Sequence, residues 1–170
     1  MAENRPDRGA GSRRHGQAGQ QAPRQDLRLA EFWPGYLQGG YFDQTGALRP
    51  ELVTRGKVEP LARAMAEGRP GLTPHQARRF FQHCRGIEAR LRARVSSWAL
   101  QREQLLRLDV FAADALAKAL PKVPLLFHDF IRQNVERVHT EDDFLRGFLP
   151  HFEAVLGFGT RYFNRNRDRT

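Results

Sequence analysis

The chain has little cysteine and little lysine: one cysteine, Cys84, and three lysines among 170 residues. A single cysteine excludes an internal disulfide and a zinc cluster built on cysteines. No apolar run approaches the ~20 residues that span a bilayer, and the N-terminus lacks the apolar segment of a signal peptide. We therefore expect a cytoplasmic protein with no membrane partner.

Strand patterns are also scarce, because alternation of apolar and polar residues never persists over more than a few positions. Apolar residues instead recur every three or four positions, as in amphipathic helices. The sequence predicts an all-α fold, a compact bundle of about five helices at residues 29–165. Residues 1–28 are rich in Gly, Gln and Arg and are predicted to be a disordered basic tail, and residues 166–170 a flexible C-terminus.

Caps and breaks set the expected helix boundaries. Thr73 and Gln76 form a capping-box pattern with proline at the first helical position, and Thr54 and Thr140 are candidate N-caps. Helices are predicted over 54–67, 73–98, 102–120 and 125–138, and from residue 140 onward. The inner face of the last one is expected to comprise Phe144, Phe148, Phe152, Val155 and Tyr162.

The predicted helix at 73–98 combines an apolar face with most of the surplus charge. The whole chain has a formal charge of +9. Six arginines against one acid give residues 74–95 a charge of +5, whereas the rest of 29–160 sums to −2. At 100° per residue, Arg78, Arg85 and Arg92 line one edge of the apolar face, and Arg79 and His83 lie toward the other. A local basic surface of this kind is typical of polyanion binding.

Catalytic and metal-binding patterns are missing. The six histidines include no His-Glu-x-x-His pair, and His128-Asp129 and His151-x-Glu153 are more often satisfied or surface histidines than metal ligands. Cys84 lies on the apolar face, where a buried structural thiol is expected. We expect no catalytic site, no metal and no cofactor.

One stretch of sequence resembles a known family. Residues 40–53 contain a Tyr-Phe-Asp turn followed by Leu-Arg-Pro-Glu-Leu, and residues 72–80 contain Leu-Thr-x-x-Gln-x-Arg-x-Phe. From Gly40 to Leu91 this succession resembles the small subunit of type III-A CRISPR effector (Csm) complexes. Val110-Phe111-Ala112-Ala113 matches an aromatic–Ala–Ala stretch of that family. The family often continues with Gly-Arg, whereas this chain has Asp114-Ala115, and Lys118 one turn later is a candidate replacement for the basic contact.

The resemblance implies an all-helical, non-catalytic subunit of an RNA-guided antiviral complex. Several copies would stack head to tail beside the backbone subunits. The expected partners are target RNA and guide RNA, other copies of this chain, and the backbone and large subunits. Cutting and nucleotide signalling belong to other subunits of such complexes.

The predicted role is to clamp RNA through phosphate contacts, which position a strand without reading its sequence. Arginine suits this role because its planar fork binds phosphate bidentately and stays charged. For any single arginine, a solvated helix face or an intersubunit ion pair remains the alternative. A freestanding helical nucleic-acid-binding module is the alternative function, and a helical enzyme a more distant one. The candidate RNA-binding residues are Arg78, Arg79, Arg85, Arg92, Lys118 and Lys122.

Overall fold

The computed structural model describes Met1 and residues 27–165, and the predictions for residues 2–26 and 166–170 lie outside that part of the chain. Within it the fold is all-α, as predicted, with six helices and no strand. The helices are α1 (Leu29–Phe32), α2 (Arg55–Glu67), α3 (Pro74–Arg92), α4 (Trp98–Ala117), α5 (Leu125–Arg137) and α6 (Leu149–Arg165). A π-helical segment, Asp143–Phe148, leads directly into α6.

The helices pack around a core rich in phenylalanine. α2 packs on α6, α4 packs on α5, and α3 contacts both α4 and α6. Phe148 stacks on Phe152 with ring centroids 5.7 Å apart, and Phe80 meets Phe127 edge to face at 5.1 Å. The inner face predicted for the last helix is confirmed, since all five of its residues are buried. Burial of each large side chain contributes roughly 1.5–3 kcal/mol.

The predicted helix over 73–98 is wrong at its C-terminal end. α3 ends at Arg92, and Arg94 adopts a left-handed conformation with φ of 54°. Val95 N–H donates to the Arg90 carbonyl and Arg94 N–H to that of Leu91. This is a Schellman motif with arginine at the position that glycine usually occupies, so the sequence lacked the usual stop signal. Val95 is consequently 74% exposed rather than part of the inner face.

α4 begins four residues earlier than predicted. Trp98 starts this helix instead of ending the one before it, and the hydroxyl of Ser97 accepts from the Leu100 N–H at 3.5 Å. The helix packs through Leu105, Leu108 and Ala112, which are fully buried. Leu106 and Val110 therefore face outward, and Phe111 is half exposed.

The predicted caps have different outcomes. The capping box of α3 is confirmed: Thr73 Oγ1 accepts from Gln76 N–H at 3.3 Å, and Gln76 Oε1 accepts from Thr73 N–H at 3.0 Å. Thr140 and Asp143 form a similar reciprocal pair at the last helix, each bond being 3.0 Å long. Thr54 precedes α2, but its side chain makes no capping hydrogen bond.

The segment before α2 is held by buried polar contacts. The backbone N–H of Leu29 and the guanidinium of Arg28 both bond to Asp129 of α5, which is almost fully buried. Asn134 joins two tyrosines of the segment, because its Nδ2 donates to Tyr36 at 2.8 Å and its Oδ1 accepts from Tyr41 at 2.8 Å. These contacts fix residues 28–41 against α5.

Among the helices that the structure describes, none has both the length and the apolar character required to cross a membrane.

Candidate nucleic-acid interface

One edge of α3 carries Arg78, Arg85 and Arg92, and two of these arginines share an acid. The nearly buried carboxylate of Glu88 forms an ion pair with Nη1 of Arg85 at 2.5 Å, and it accepts a hydrogen bond from Nε of Arg92 at 2.7 Å. The side chains of both arginines remain half or more exposed. Solvent reaches the arginine side of both pairs and screens them, although the carboxylate itself is nearly buried. Two arginines and one carboxylate leave the cluster with a net charge of +1.

Arg78 begins this edge one turn inside α3. It is exposed, and among residues 27–165 no acidic partner lies within ion-pair distance of it. A small cavity of about 70 Å³ lies beside it, between the start of α3 and the end of α6. Arg78 is therefore the member of the predicted row whose charge is uncompensated by the described residues.

The other edge of α3 forms one wall of a cavity of about 470 Å³. α4 and the connection from α4 to α5 supply the opposite wall. We call this cavity the α3–α4 cleft. It is lined by His75, Gln76, Arg79, Phe80, His83, Leu108, Phe111, Asp114, Ala115, Lys118, Lys122 and Val123.

Three of the six predicted RNA-binding residues converge at the rim of the α3–α4 cleft. Arg79 comes from α3, whereas Lys118 and Lys122 come from the connection that follows α4. Lys118 pairs with Asp114 at 2.9 Å, but both side chains are more than half exposed, so this pair is weak. Arg79 and Lys122 are exposed and have no ion pair with a residue in the described part of the chain.

The position of the lysines follows from how α4 ends. α4 stops at Ala117, and the backbone N–H of Lys122 donates to the carbonyl of Ala115 at 2.8 Å. The chain thus folds back over the last turn of α4 before Val123 enters the core. This bend directs both lysines to the same side as Arg79.

Sequence reasoning placed His83 on the same edge of the helix as Arg79, but it gave neither the histidines nor the aromatic residues of the cleft a role in the site. His83 Nε2 lies 2.7 Å from the carbonyl of Gln104, and its ring meets Phe111 edge to face at 5.6 Å. His75, Arg79 and His83 are spaced by four, which places them on one face of a helix. That spacing could have predicted the residues that α3 supplies to the cleft. The residues that α4 supplies could not be predicted in this way, because tertiary packing brings them to the cleft.

The other candidate groups are satisfied within the fold. Burial raises the pKa of the Cys84 thiol, so this cysteine is an inert core residue. His128 Nδ1 lies 3.4 Å from Asp129, and His151 is fully buried. Among the described residues, no group of three or more His, Cys, Asp or Glu side chains is placed to hold a metal ion.

No family model, curated protein or solved structure matches the chain.

Proposed function

We propose that this protein is a non-catalytic small subunit of a type III-A CRISPR RNA-guided interference complex in the cytoplasm. In this role it stacks in several copies and clamps target RNA, or the guide–target duplex, through contacts of arginine and lysine with phosphates. The family assignment rests on the resemblance of residues 40–91 to the Csm small subunit.

The observation that carries the RNA-binding role is the convergence of Arg79, Lys118 and Lys122 on the α3–α4 cleft. Cations from two elements that are distant in sequence meet on one surface, and Arg78, on the far edge of α3, has no ion-pair partner among the described residues. Phosphate binding gains from such clustering, because each neutralised phosphate releases condensed counterions.

The outer face of α4 supports assembly with other subunits. Leu106 and Val110 lie one turn apart on one face of α4, and both are exposed. Apolar side chains grouped on one face of a protein are typical of contact surfaces. Target RNA would then be held by several copies together, so that weak binding by each one adds up to tight capture.

The assignment to a complex is tested by purifying the tagged full-length chain from its source cells and sequencing the RNA that accompanies it. We expect guide RNAs transcribed from a CRISPR array, together with the backbone and large subunits. A chain that purifies alone and holds RNA tightly as a monomer contradicts the proposal and favours the freestanding module.

The phosphate role is tested with the double variant Arg79→Ala/Lys122→Ala in the assembled complex. We expect weaker capture of target RNA. The logarithm of the binding constant should also fall less steeply with the logarithm of the salt concentration, by about 0.7 in slope for each lost contact to a single strand. Arg63→Ala/Arg132→Ala is the matched control, since it removes two exposed cations on α2 and α5. An equal loss of RNA capture in both variants would show a general effect of charge instead of a binding site.

Arg78→Glu tests the far edge of α3 in the same assay.

A further inference from the structure

The α3–α4 cleft has an aromatic and aliphatic interior as well as a cationic rim. The buried Phe80 and Leu108 and the half-exposed Phe111 line it, together with the exposed cations Arg79 and Lys122. Its volume of about 470 Å³ falls within the roughly 300–1,000 Å³ that is usual for small-ligand sites. Phosphate contacts along a helix surface need no such interior, so the cleft calls for a ligand with an apolar part.

Phe111 is the unusual member of this interior. It is 47% exposed, although Leu108 beside it on α4 is fully buried. His83 supports the ring from one side in an edge-to-face contact, and the carbonyl of Gln104 fixes His83 in turn. Phe111 is thereby held in place while much of its surface remains available for stacking.

We infer that the α3–α4 cleft binds a nucleoside monophosphate unit, with its base against Phe111 and its phosphate at Arg79 and Lys122. The rim alone fits inorganic phosphate and the interior alone fits any apolar group, but the two together fit an aromatic anion of nucleotide size. Base stacking on an aromatic side chain tolerates every base, because each base has a π-face. The unit is either an unstacked nucleotide of a bound RNA strand or a free mononucleotide. The first source rests on the proposed function.

Calorimetric titration of the full-length chain at fixed ionic strength tests the ligand class. The probes are AMP, UMP, adenosine and ribose 5-phosphate. We expect AMP and UMP to bind, and adenosine and ribose 5-phosphate each to bind about fivefold more weakly or worse, since each lacks one half of the recognised group. Ribose 5-phosphate binding as tightly as AMP overturns the inference, and so does the absence of binding by either nucleotide.

Two variants locate the binding in the cleft. Phe111→Ala and Arg79→Ala should each weaken AMP binding by about fivefold or more. Leu100→Ala is the control, because it truncates another exposed apolar residue of α4 that does not line the cleft. Thermal melting of all three variants checks that they fold. Full AMP binding by folded Phe111→Ala removes the stacking role and overturns the inference.

Competition with a single-stranded uridine octamer separates the two sources. Displacement of AMP by the octamer assigns the cleft to a nucleotide of a strand, and undisturbed AMP binding assigns it to a free mononucleotide. The outcomes also separate this inference from the proposed function. If AMP binds but guide RNAs never accompany the chain, the inference about the cleft is supported and the CRISPR assignment fails. If the complex captures RNA while the isolated chain ignores AMP and UMP, the assignment stands and the cleft inference fails.

Discussion

The hydroxyl of Tyr36 lies 2.7 Å from Nε2 of His151 in the core, and the other ring nitrogen of His151 contacts the carbonyl of Leu52. Because a carbonyl accepts and never donates, Nδ1 carries the hydrogen and Nε2 accepts from Tyr36. Asn134 Nδ2 donates to the same hydroxyl at 2.8 Å. The segment before α2 is thus joined to α6 through a neutral histidine of defined tautomer and to α5 through Asn134.

Tyr36→Phe should lower the free energy of unfolding by about 1–3 kcal/mol, because it leaves the buried Nε2 of His151 without a donor. Asn134 Nδ2 also donates to the carbonyl of Phe130 at 2.8 Å and keeps this bond in the variant. The histidine is therefore the group that loses its hydrogen-bond partner. Urea denaturation at neutral pH measures the change. An unfolding free energy within about 0.5 kcal/mol of the parent, the range of ordinary surface substitutions, would show that this bond does not stabilise the fold.

Stability should fall as the pH is lowered from 6.5 toward 4. Burial lowers the pKa of His151 to about 4, whereas a histidine in the unfolded chain has a pKa of about 6.5. The unfolded state therefore binds the extra proton first, and the free energy of unfolding drops by up to about 1.4 kcal/mol per pH unit in that window. Urea denaturation at several pH values between 5 and 6 measures how the free energy of unfolding changes with pH, above the pH range in which most carboxylates titrate. His139→Gln, which removes an exposed histidine, should keep the slope, and a flat profile in the parent contradicts the prediction.

Much of the fold follows from the sequence, because apolar spacing is a local property. Phe144, Phe148 and Phe152 were placed correctly by spacing alone, and the capping box at Thr73 was read from four residues. The end of α3 was not predicted correctly, because Arg94 adopts a left-handed conformation that is usual for glycine. The α3–α4 cleft was missed as a unit because it joins Arg79 to lysines about forty residues later, and only packing brings them together.

Arg94→Gly should stabilise the protein by up to about 1 kcal/mol, because a left-handed backbone carries a steric penalty for arginine and none for glycine. The side chain is exposed and lies outside the α3–α4 cleft. Thermal melting measures the gain. Arg90→Gly, one turn earlier and inside α3, is the contrasting variant and should lower the stability by about 1 kcal/mol. A loss in both variants would show that the left-handed conformation of residue 94 is not the one adopted in solution.

Two glycines near the C-terminus should respond to alanine in opposite directions. A Cβ at Gly147 would lie 2.5 Å from Cγ of the buried Tyr41, so Gly147→Ala should cost about 1–3 kcal/mol through overpacking. At Gly157, in α6, a Cβ would meet nothing within 4 Å, so Gly157→Ala should gain up to about 1 kcal/mol from helix propensity. Chemical denaturation of the two variants side by side gives the comparison. Equal tolerance at both sites would show that Tyr41 does not pack against Gly147.

Glu88→Gln should strengthen RNA binding, because it releases Arg85 and Arg92 from the acid that they share. The substitution keeps the shape of the side chain and raises the charge of α3 by one, so phosphates compete with a neutral amide instead of a carboxylate. Binding of single-stranded RNA, measured by fluorescence anisotropy over a range of salt concentrations, should tighten severalfold at low salt. The slope of the logarithm of the binding constant against the logarithm of the salt concentration should steepen by about 0.7 if one new phosphate contact forms. Glu136→Gln on α5 makes the same change in net charge beside Arg132, away from α3. If both variants tighten binding equally, the effect is one of net charge and the α3 edge is not a phosphate-binding surface.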